Sequence, residues 1–395
     1  MLRGSISHAG RVALHTALLL GLAGAALMPV TSPARNGKKG KKARQSTVKL
    51  SHVDLGEHPL KDTGSYSGEL QLEVPDDAVS ALIRCGDFGD TALGSLWTLV
   101  DPTGKTIWDG DTEPDEGIRS EFLGNDAMVL LPQSPRAPLL PGTYTLNFWI
   151  SRDNVGSLDC EAVLRHHEVA ERPVLDLELV FVGVPGLDAT SARNHKGFKR
   201  FLGRIDALMD DSDMALDVTL KDFEGDVDRF SVVDISDDDT SEFQALLAQA
   251  SPDDAHRITV FLVQEIANAS AGGATVLGIS GGPPGAAGLS GTSHSGLVVT
   301  ALDLDARPDD VARIFTHELG HFLGLFHTTE KSGGAHDVVH DTPQCDDDQD
   351  GDGIVTSTEC RGIGPDNIMW WTLRPGIPSF SEDQKWVLHR SPAAR

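Results

Sequence analysis

Basic side chains are scarce in this chain. Its 395 residues hold 33 lysines and arginines against 59 aspartates and glutamates, a net charge of −26. A surface that negative argues against nucleic acid as a partner, favours solubility and cation binding, and says nothing about fold. Acidic residues are in turn missing from the first 45 positions. That stretch holds eight of the 33 basic residues, which leaves 25 against 59, or −34, for the remainder. The apolar run near the N-terminus, Val12–Leu27, is about 16 residues, short of the roughly 20 that a membrane-spanning helix needs. Arg3 and Arg11 precede or open it, and Pro29, Ser32 and Ala34 follow it. Residues 1–34 therefore read as a cleavable secretory leader and residues 35–46, with RNGKKGKKAR at Arg35–Arg44, as a basic linker. No cysteine follows the leader, which argues against a lipid anchor. The mature chain is expected outside the cytoplasm, secreted or periplasmic, with no membrane attachment. Cysteines number only four: Cys85, Cys160, Cys345 and Cys360. An even count in an exported chain suggests disulfides, and the pairing that stays within each half of the chain is Cys85–Cys160 and Cys345–Cys360.

The fold class expected from the patterning is two domains, an all-β sandwich over 47–169 followed by an α/β catalytic unit over 173–392. The first part shows short alternating runs such as Glu69–Val74 and Thr143–Ile150 (TYTLNFWI), broken by turn sequences such as Asp101–Lys105 (DPTGK). Beyond a linker at His166–Pro173 the period changes. Val174–Val184 reads as a long strand, and Lys196–Met209 as an amphipathic helix with Phe198, Phe201, Leu202, Ile205 and Leu208 on one stripe. Ala215–Lys221, Arg257–Val263, Thr275–Ser280 and Gly296–Leu302 read as further strands, and Ser241–Ala250 as a shorter helix. Gly281–His294 is a Gly/Pro/Ser loop, too poor in apolar residues for a core element.

The chemistry concentrates in His317–His327, HELGHFLGLFH. His317 and His321 are four apart and share one face of a helix, one turn apart. Gly324 permits the chain to leave the helix and turn back, so that His327 returns as a third ligand. Three imidazoles with a fourth position open to water make a catalytic zinc site rather than a closed structural one. Glu318 stands beside them as the general base for hydrolysis. The longer HExxHxxGxxH spacing fixes five positions and is a highly specific signal, where HExxH alone is weak.

Downstream, Asn367–Trp371 (NIMWW) is similar to the Met-turn of the metzincins, with Met369 beneath the zinc. With His340–Pro343 (HDTP) and the closing FSEDQKWVLH helix, Val174–His389 resembles the pappalysin group of metzincin zinc peptidases. The resemblance implies a catalytic domain split by a cleft, with the His317 helix as its floor and an irregular lower half after Gly324. It implies protein or peptide substrates taken up by strand addition along the edge strand Thr275–Ser280. One residue departs from the pattern: Trp371 stands where many of these peptidases carry a tyrosine that assists the transition state. The segments LWTLVDPTGKTIW and LPGTYTLNFWI resemble the jelly-roll modules that accompany secreted bacterial peptidases. Ile83–Asp87 (IRCGD) is superficially similar to the latency segment of some metzincin zymogens, which gives Cys85 a second possible role as a zinc-plugging thiol.

Asp348–Glu359 (DQDGDGIVTSTE) matches the twelve-residue calcium loop. Asp348, Asp350 and Asp352 fill positions one, three and five. Gly353 supplies the turn, Ile354 a carbonyl at seven, Thr356 position nine and Glu359 the bidentate position twelve. The incoming helix of a helix–loop–helix hand is missing, because Pro343 interrupts Thr342–Cys345. The expectation is an isolated structural Ca2+ loop clipped by Cys345–Cys360, an insert over 345–360. Two functions compete: a secreted zinc endopeptidase, and a calcium-stabilised binding protein whose peptidase unit has lost activity and which acts through its β-sandwich. The intact Glu318 and three histidines favour the first, Trp371 the second.

Overall fold

The structure is a computed structural model. It describes residues 19–20, 48–60, 66–86, 92–112, 117–151, 157–235, 241–250, 255–267, 275–372 and 378–395. The expected leader and basic linker lie outside the described residues, apart from Leu19–Leu20.

Two antiparallel sheets form the N-terminal part. Lys49–Pro59 (β1), Leu70–Val74 (β2), Ala78–Gly86 (β3), Leu93–Val100 (β4), Thr106–Asp109 (β5), Ala127–Leu131 (β6), Gly142–Ile150 (β7) and Ser157–His166 (β8) are its longer strands, and the two-residue Leu123–Gly124 pairs with β4. One sheet runs β1–β8–β3–β6 and the other β2–β7–β4–β5. Alternation sets which side chains meet: Leu70, Leu72 and Val74 are buried while Gln71 and Glu73 are exposed. Inward residues of both sheets share one core, with Leu72, Leu96 and Phe148 from one and Ile83, Val129 and Leu164 from the other. The Cys85–Cys160 disulfide joins neighbouring strands β3 and β8 inside that core, where both residues are buried. Cys85 is therefore a disulfide partner and not a latency thiol. Strands β1 and β6 carry too little alternation to be read from sequence; β6 (AMVLL) is buried on both faces.

The C-terminal part has a five-stranded sheet. Val174–Val182 (β9), Ala215–Asp222 (β10), Arg257–Val263 (β11), Gly278–Ser280 (β12) and Leu297–Thr300 (β13) lie in the order β10–β9–β11–β13–β12. The first four are parallel, and β12 runs antiparallel at the edge. Helices cover both faces, so β9 is buried almost throughout, acidic Asp176 and Glu178 included. Lys196–Asp211 (α1) and Pro308–Phe322 (α3) pack on one face around Leu177, Leu179, Phe201 and Phe315. Ser241–Leu247 (α2) packs on the other, against Val180, Phe261 and Val298. The expected strand at Thr275–Ser280 is broken at Leu277: Thr275–Val276 leaves the sheet and pairs with Leu19–Leu20.

After Phe322 the chain is irregular until Glu382–Leu388 (α4). Ser381 caps α4 through a capping box with Gln384. The Cys345–Cys360 disulfide forms within the irregular stretch.

One expectation is overturned. Gly281–His294 is a loop, yet Gly281–Gly288 and His294 are buried. Glycines at 281, 282 and 285 are needed there: a Cβ would fall 2.5 Å from the His294 carbonyl oxygen, 2.3 Å from the Gly285 nitrogen and 2.1 Å from the Phe322 ring respectively. Ala286 and Leu289 pack under Met128 and Leu130 of β6, so the loop is the layer between the two parts of the chain.

Helix α4 is held partly by Asp337, whose carboxylate accepts from the Thr342 hydroxyl at 2.6 Å and the Gln384 amide at 3.3 Å. Burial pushes its pKa up to about 7. In the unfolded chain an aspartate titrates near 3.9. Between those values the folded state holds a proton that the unfolded state has released, so this group's contribution falls as pH rises from about 4 to 7. Asp337→Asn should remove it. The melting temperature of the variant relative to the parent should climb steadily across that range; identical pH profiles would refute the assignment.

Candidate metal centre

Helix α3 starts at Pro308, a residue suited to a first turn, with Asp309 and Asp310 at its positive end. Phe315 and Leu319 anchor its buried stripe in the core. This places His317 and His321 one turn apart on the same side of α3.

The helix ends in a Schellman motif. Leu325 N–H donates to Gly320 C=O at 2.9 Å, and Gly324 N–H to His321 C=O at 2.9 Å, with Gly324 at φ +105°. A side chain is costly at that angle. There is no room for one either, since a Cβ on Gly324 would sit 2.5 Å from Leu130. The reversal brings His327 back to the other two histidines.

All three rings are buried, and their Nε2 atoms stand 3.0–3.1 Å apart. Each Nδ1 is engaged. That of His317 meets the Ile368 carbonyl at 2.8 Å, that of His321 the Leu325 carbonyl at 2.8 Å, and that of His327 the Glu330 carboxylate at 2.8 Å. A carbonyl oxygen only accepts, so Nδ1 of His317 and of His321 carries the proton. Burial lowers the pKa of His317 to about 3 and that of His321 well below the ordinary imidazole value; each ring is therefore neutral. Neutral rings protonated at Nδ1 turn bare Nε2 lone pairs toward one point. Such lone pairs repel one another unless a cation lies between them. Zinc with nitrogens at 2.0–2.1 Å in a tetrahedron wants edges of roughly 3.4 Å, close to what is found. The donor set fits zinc.

Glu318 lies on the same helix, fully buried, and burial pushes its pKa well above the ordinary carboxyl value. The Ser280 backbone N–H donates to it, while Oε2 has no partner. Strand β12 lies directly on this residue. A Cβ on Gly278 would stand 2.6 Å from Ile314 Cγ2 and 2.9 Å from Glu318 Cγ. The edge strand therefore borders the general-base candidate at closest packing.

Beneath the histidines Met369 is fully buried, and its sulfur lies where a Cβ on Gly320 would be 2.5 Å away. Asn367 Oδ1 accepts from Met369 N–H, and Thr328 N–H donates to Met369 C=O, which ties this turn to the residue after His327. The Trp371 indole N–H donates to the Val355 carbonyl at 2.8 Å. Both tyrosines, Tyr66 and Tyr144, belong to the N-terminal part.

In the acidic loop the carboxylates of Asp348, Asp350 and Asp352 come together, with ligand atoms within 4.8 Å of one another. Gly353 takes φ +81° and donates its N–H to Asp348 Oδ2 at 2.9 Å. Glu359 is outside that cluster. Its Oε2 accepts from Thr356 N–H and hydroxyl and its Oε1 from Gln349 N–H, which holds its pKa below the usual carboxylate value. Ile354 donates its N–H to Asp352 Oδ1. Sequence reasoning missed Glu330 and Arg119. The Arg119 guanidinium reaches Glu330 Oε1 at 2.8 Å from 211 positions away, and no local spacing signals that contact.

Residues 247–377 match the family model Peptidase_M43, described as pregnancy-associated plasma protein-A. The match spans the edge strand, α3, all three histidines and the Met369 turn. No curated protein matches the chain. Among solved structures, archaemetzincin from Methanopyrus kandleri is 14% identical over 55% of this chain and 94% of its own, with a TM-score of 0.29. Metalloproteinase-II from Bacteroides fragilis is 12% identical over 60% of this chain and 62% of its own, also at 0.29. TM-scores that low carry no weight for the fold. The peptidase-family match and the three-histidine group together support a zinc metallopeptidase, and a peptidase family implies protein or peptide substrates.

Proposed function

We propose that this chain is a secreted, pappalysin-like zinc endopeptidase. In this reading residues 1–34 direct export, a jelly-roll-like sandwich occupies 47–169 and a metzincin-like catalytic domain 173–392. The observation that carries it is the convergence of three buried imidazoles beside a buried carboxyl group with an unpartnered oxygen. His317, His321 and His327 would hold Zn2+. Zinc there supplies Lewis acidity and brings the pKa of a water toward neutrality.

The chain's own residues do the rest. An extended peptide adds alongside Gly278–Ser280, with the Ser280 N–H that now serves Glu318 exchanged to the peptide backbone. Glu318 takes a proton from the attacking water and later delivers it to the leaving amine. Its apolar surroundings, with the pKa raised, suit it to the second task as well as the first. Met369 forms the floor under the histidines, and the Ile368 carbonyl keeps His317 in its productive tautomer.

Glu318→Gln should retain zinc in a stoichiometric amount and lose at least about 100-fold in kcat/KM on a casein-type substrate. Parent-level cleavage by a clean, zinc-loaded variant would sink the assignment. Trp371 favours the competing reading of an inactive, calcium-stabilised binding protein, because its indole N–H is committed to Val355. That reading wins if the zinc-loaded parent shows no hydrolysis above the Glu318→Gln variant.

Asp348, Asp350 and Asp352, with Ile354, Thr356 and Glu359, are read as a structural Ca2+ loop. Glu359 must exchange its bonds to Thr356 and Gln349 for the ion. A calcium-selective chelator should lower the melting temperature and expose 345–360 to proteolysis, both reversed by added Ca2+. Unchanged melting and unchanged cleavage would eliminate calcium.

A further inference from the structure

The three rings at the metal centre are not aimed by equivalent partners. His317 and His321 lean on the backbone carbonyls of Ile368 and Leu325, both within the C-terminal part. His327 leans on a side chain, the Glu330 carboxylate, which is itself buried. A buried carboxylate is costly without a cation. The cation comes from the other part of the molecule. Arg119 Nη2 meets Glu330 Oε1 at 2.8 Å, and Nη1 donates to the His336 carbonyl at 2.9 Å. The guanidinium also stacks on the Phe326 ring, with 4.8 Å to the centroid, and pairs with Glu121.

Arg119 is not a loose surface arm. Gln133, buried just after β6, grips its backbone on both sides. Gln133 Oε1 accepts from Arg119 N–H at 2.7 Å, and Gln133 Nε2 donates to Arg119 C=O at 2.9 Å. The irregular segment carrying Arg119, held by Gln133 just after β6, thus delivers a guanidinium to the carboxylate that orients the third histidine.

We infer that Arg119 is a positioning residue for the zinc centre, acting through Glu330 on His327, so that the N-terminal β part sets zinc affinity and turnover. This rests on the zinc peptidase reading above. A carboxylate on the far side of a ligating histidine fixes its tautomer and strengthens the ligand, and loss of such a partner typically costs 10–100-fold in metal affinity or activity.

The test uses the full exported chain and zinc competition against a chromophoric chelator. Arg119→Ala and Glu330→Gln should each weaken zinc binding about 10–100-fold. Arg119→Lys, which keeps the charge and loses the fork, should fall between Ala and the parent. The double variant Arg119→Ala with Glu330→Gln should be little worse than either alone, because both break one relay. With zinc saturating, kcat should fall while KM stays near the parent value, and the absorption spectrum of the Co2+-loaded protein should shift. A merely structural role would lower melting temperature without these changes. Glu330→Gln and Arg119→Lys keep shape and carry the test if Arg119→Ala fails to fold. Parent-like zinc affinity and Co2+ spectrum in these variants would overturn the inference alone, whereas a parent chain that binds no zinc would overturn the peptidase reading beneath it.

Discussion

The three-histidine group depends on aiming three buried ring nitrogens at one point. An imidazole is aimed by its far nitrogen, so the problem reduces to placing three acceptors behind three rings. The chain solves it with three different devices. The turn at Asn367–Trp371 presents the Ile368 carbonyl to His317. The reversal at Gly324 swings the Leu325 carbonyl back under His321, four residues earlier. The irregular stretch beyond His327 supplies Glu330. Helix α3 alone supplies two rings and none of these acceptors. The sheet, α1 and the core around Phe315 hold α3 still; the segments without regular structure do the aiming.

That division explains why the two parts of the molecule are packed as they are. Gly324 permits the helix reversal and also lets Leu130 of β6 approach to where a side chain would stand. The glycine-rich loop 281–294 sits between the parts as a buried spacer, and His294 links the Gly281 and Gly124 carbonyls across it. Farther round, buried Arg165 of β8 donates to the His389 and Ser391 carbonyls after α4. The contact is polar and specific at several points, with two apolar patches between them. Such an interface fixes orientation, and a charged group carried by one part can then serve the other.

The legible features were those with a period or a fixed spacing. The histidine helix, the Met369 turn, β9, β11, α1 and the capping box all declare themselves within a dozen neighbouring residues. Both disulfides follow from pairing the two cysteines within each half of the chain. The rest was illegible for identifiable reasons. Gly281–His294 looks like surface because glycine and proline signal turns; here the same residues allow close approach between buried layers. Arg119 and Glu330 are single charges far apart in the chain, with no pattern around either. The Thr275–Ser280 stretch reads as one strand because sequence shows side-chain alternation and not which backbone groups find partners. Glu359 fits the last ligand position by spacing, but spacing does not show that Thr356 and Gln349 already occupy its oxygens.

Trp371 joins two of these themes. Its indole N–H serves the Val355 carbonyl. Val355 N–H in turn donates to the Lys331 carbonyl, one residue beyond Glu330. The buried Cys345–Cys360 bridge, Val355 and Trp370 form one small core against which Trp371 packs. The acidic loop is therefore strapped both to the turn that orients His317 and to the segment that orients His327. The tryptophan's single donor thus helps hold two acceptor-bearing segments in register. One indole at position 371 therefore bears, through these contacts, on the acceptors behind two of the three rings.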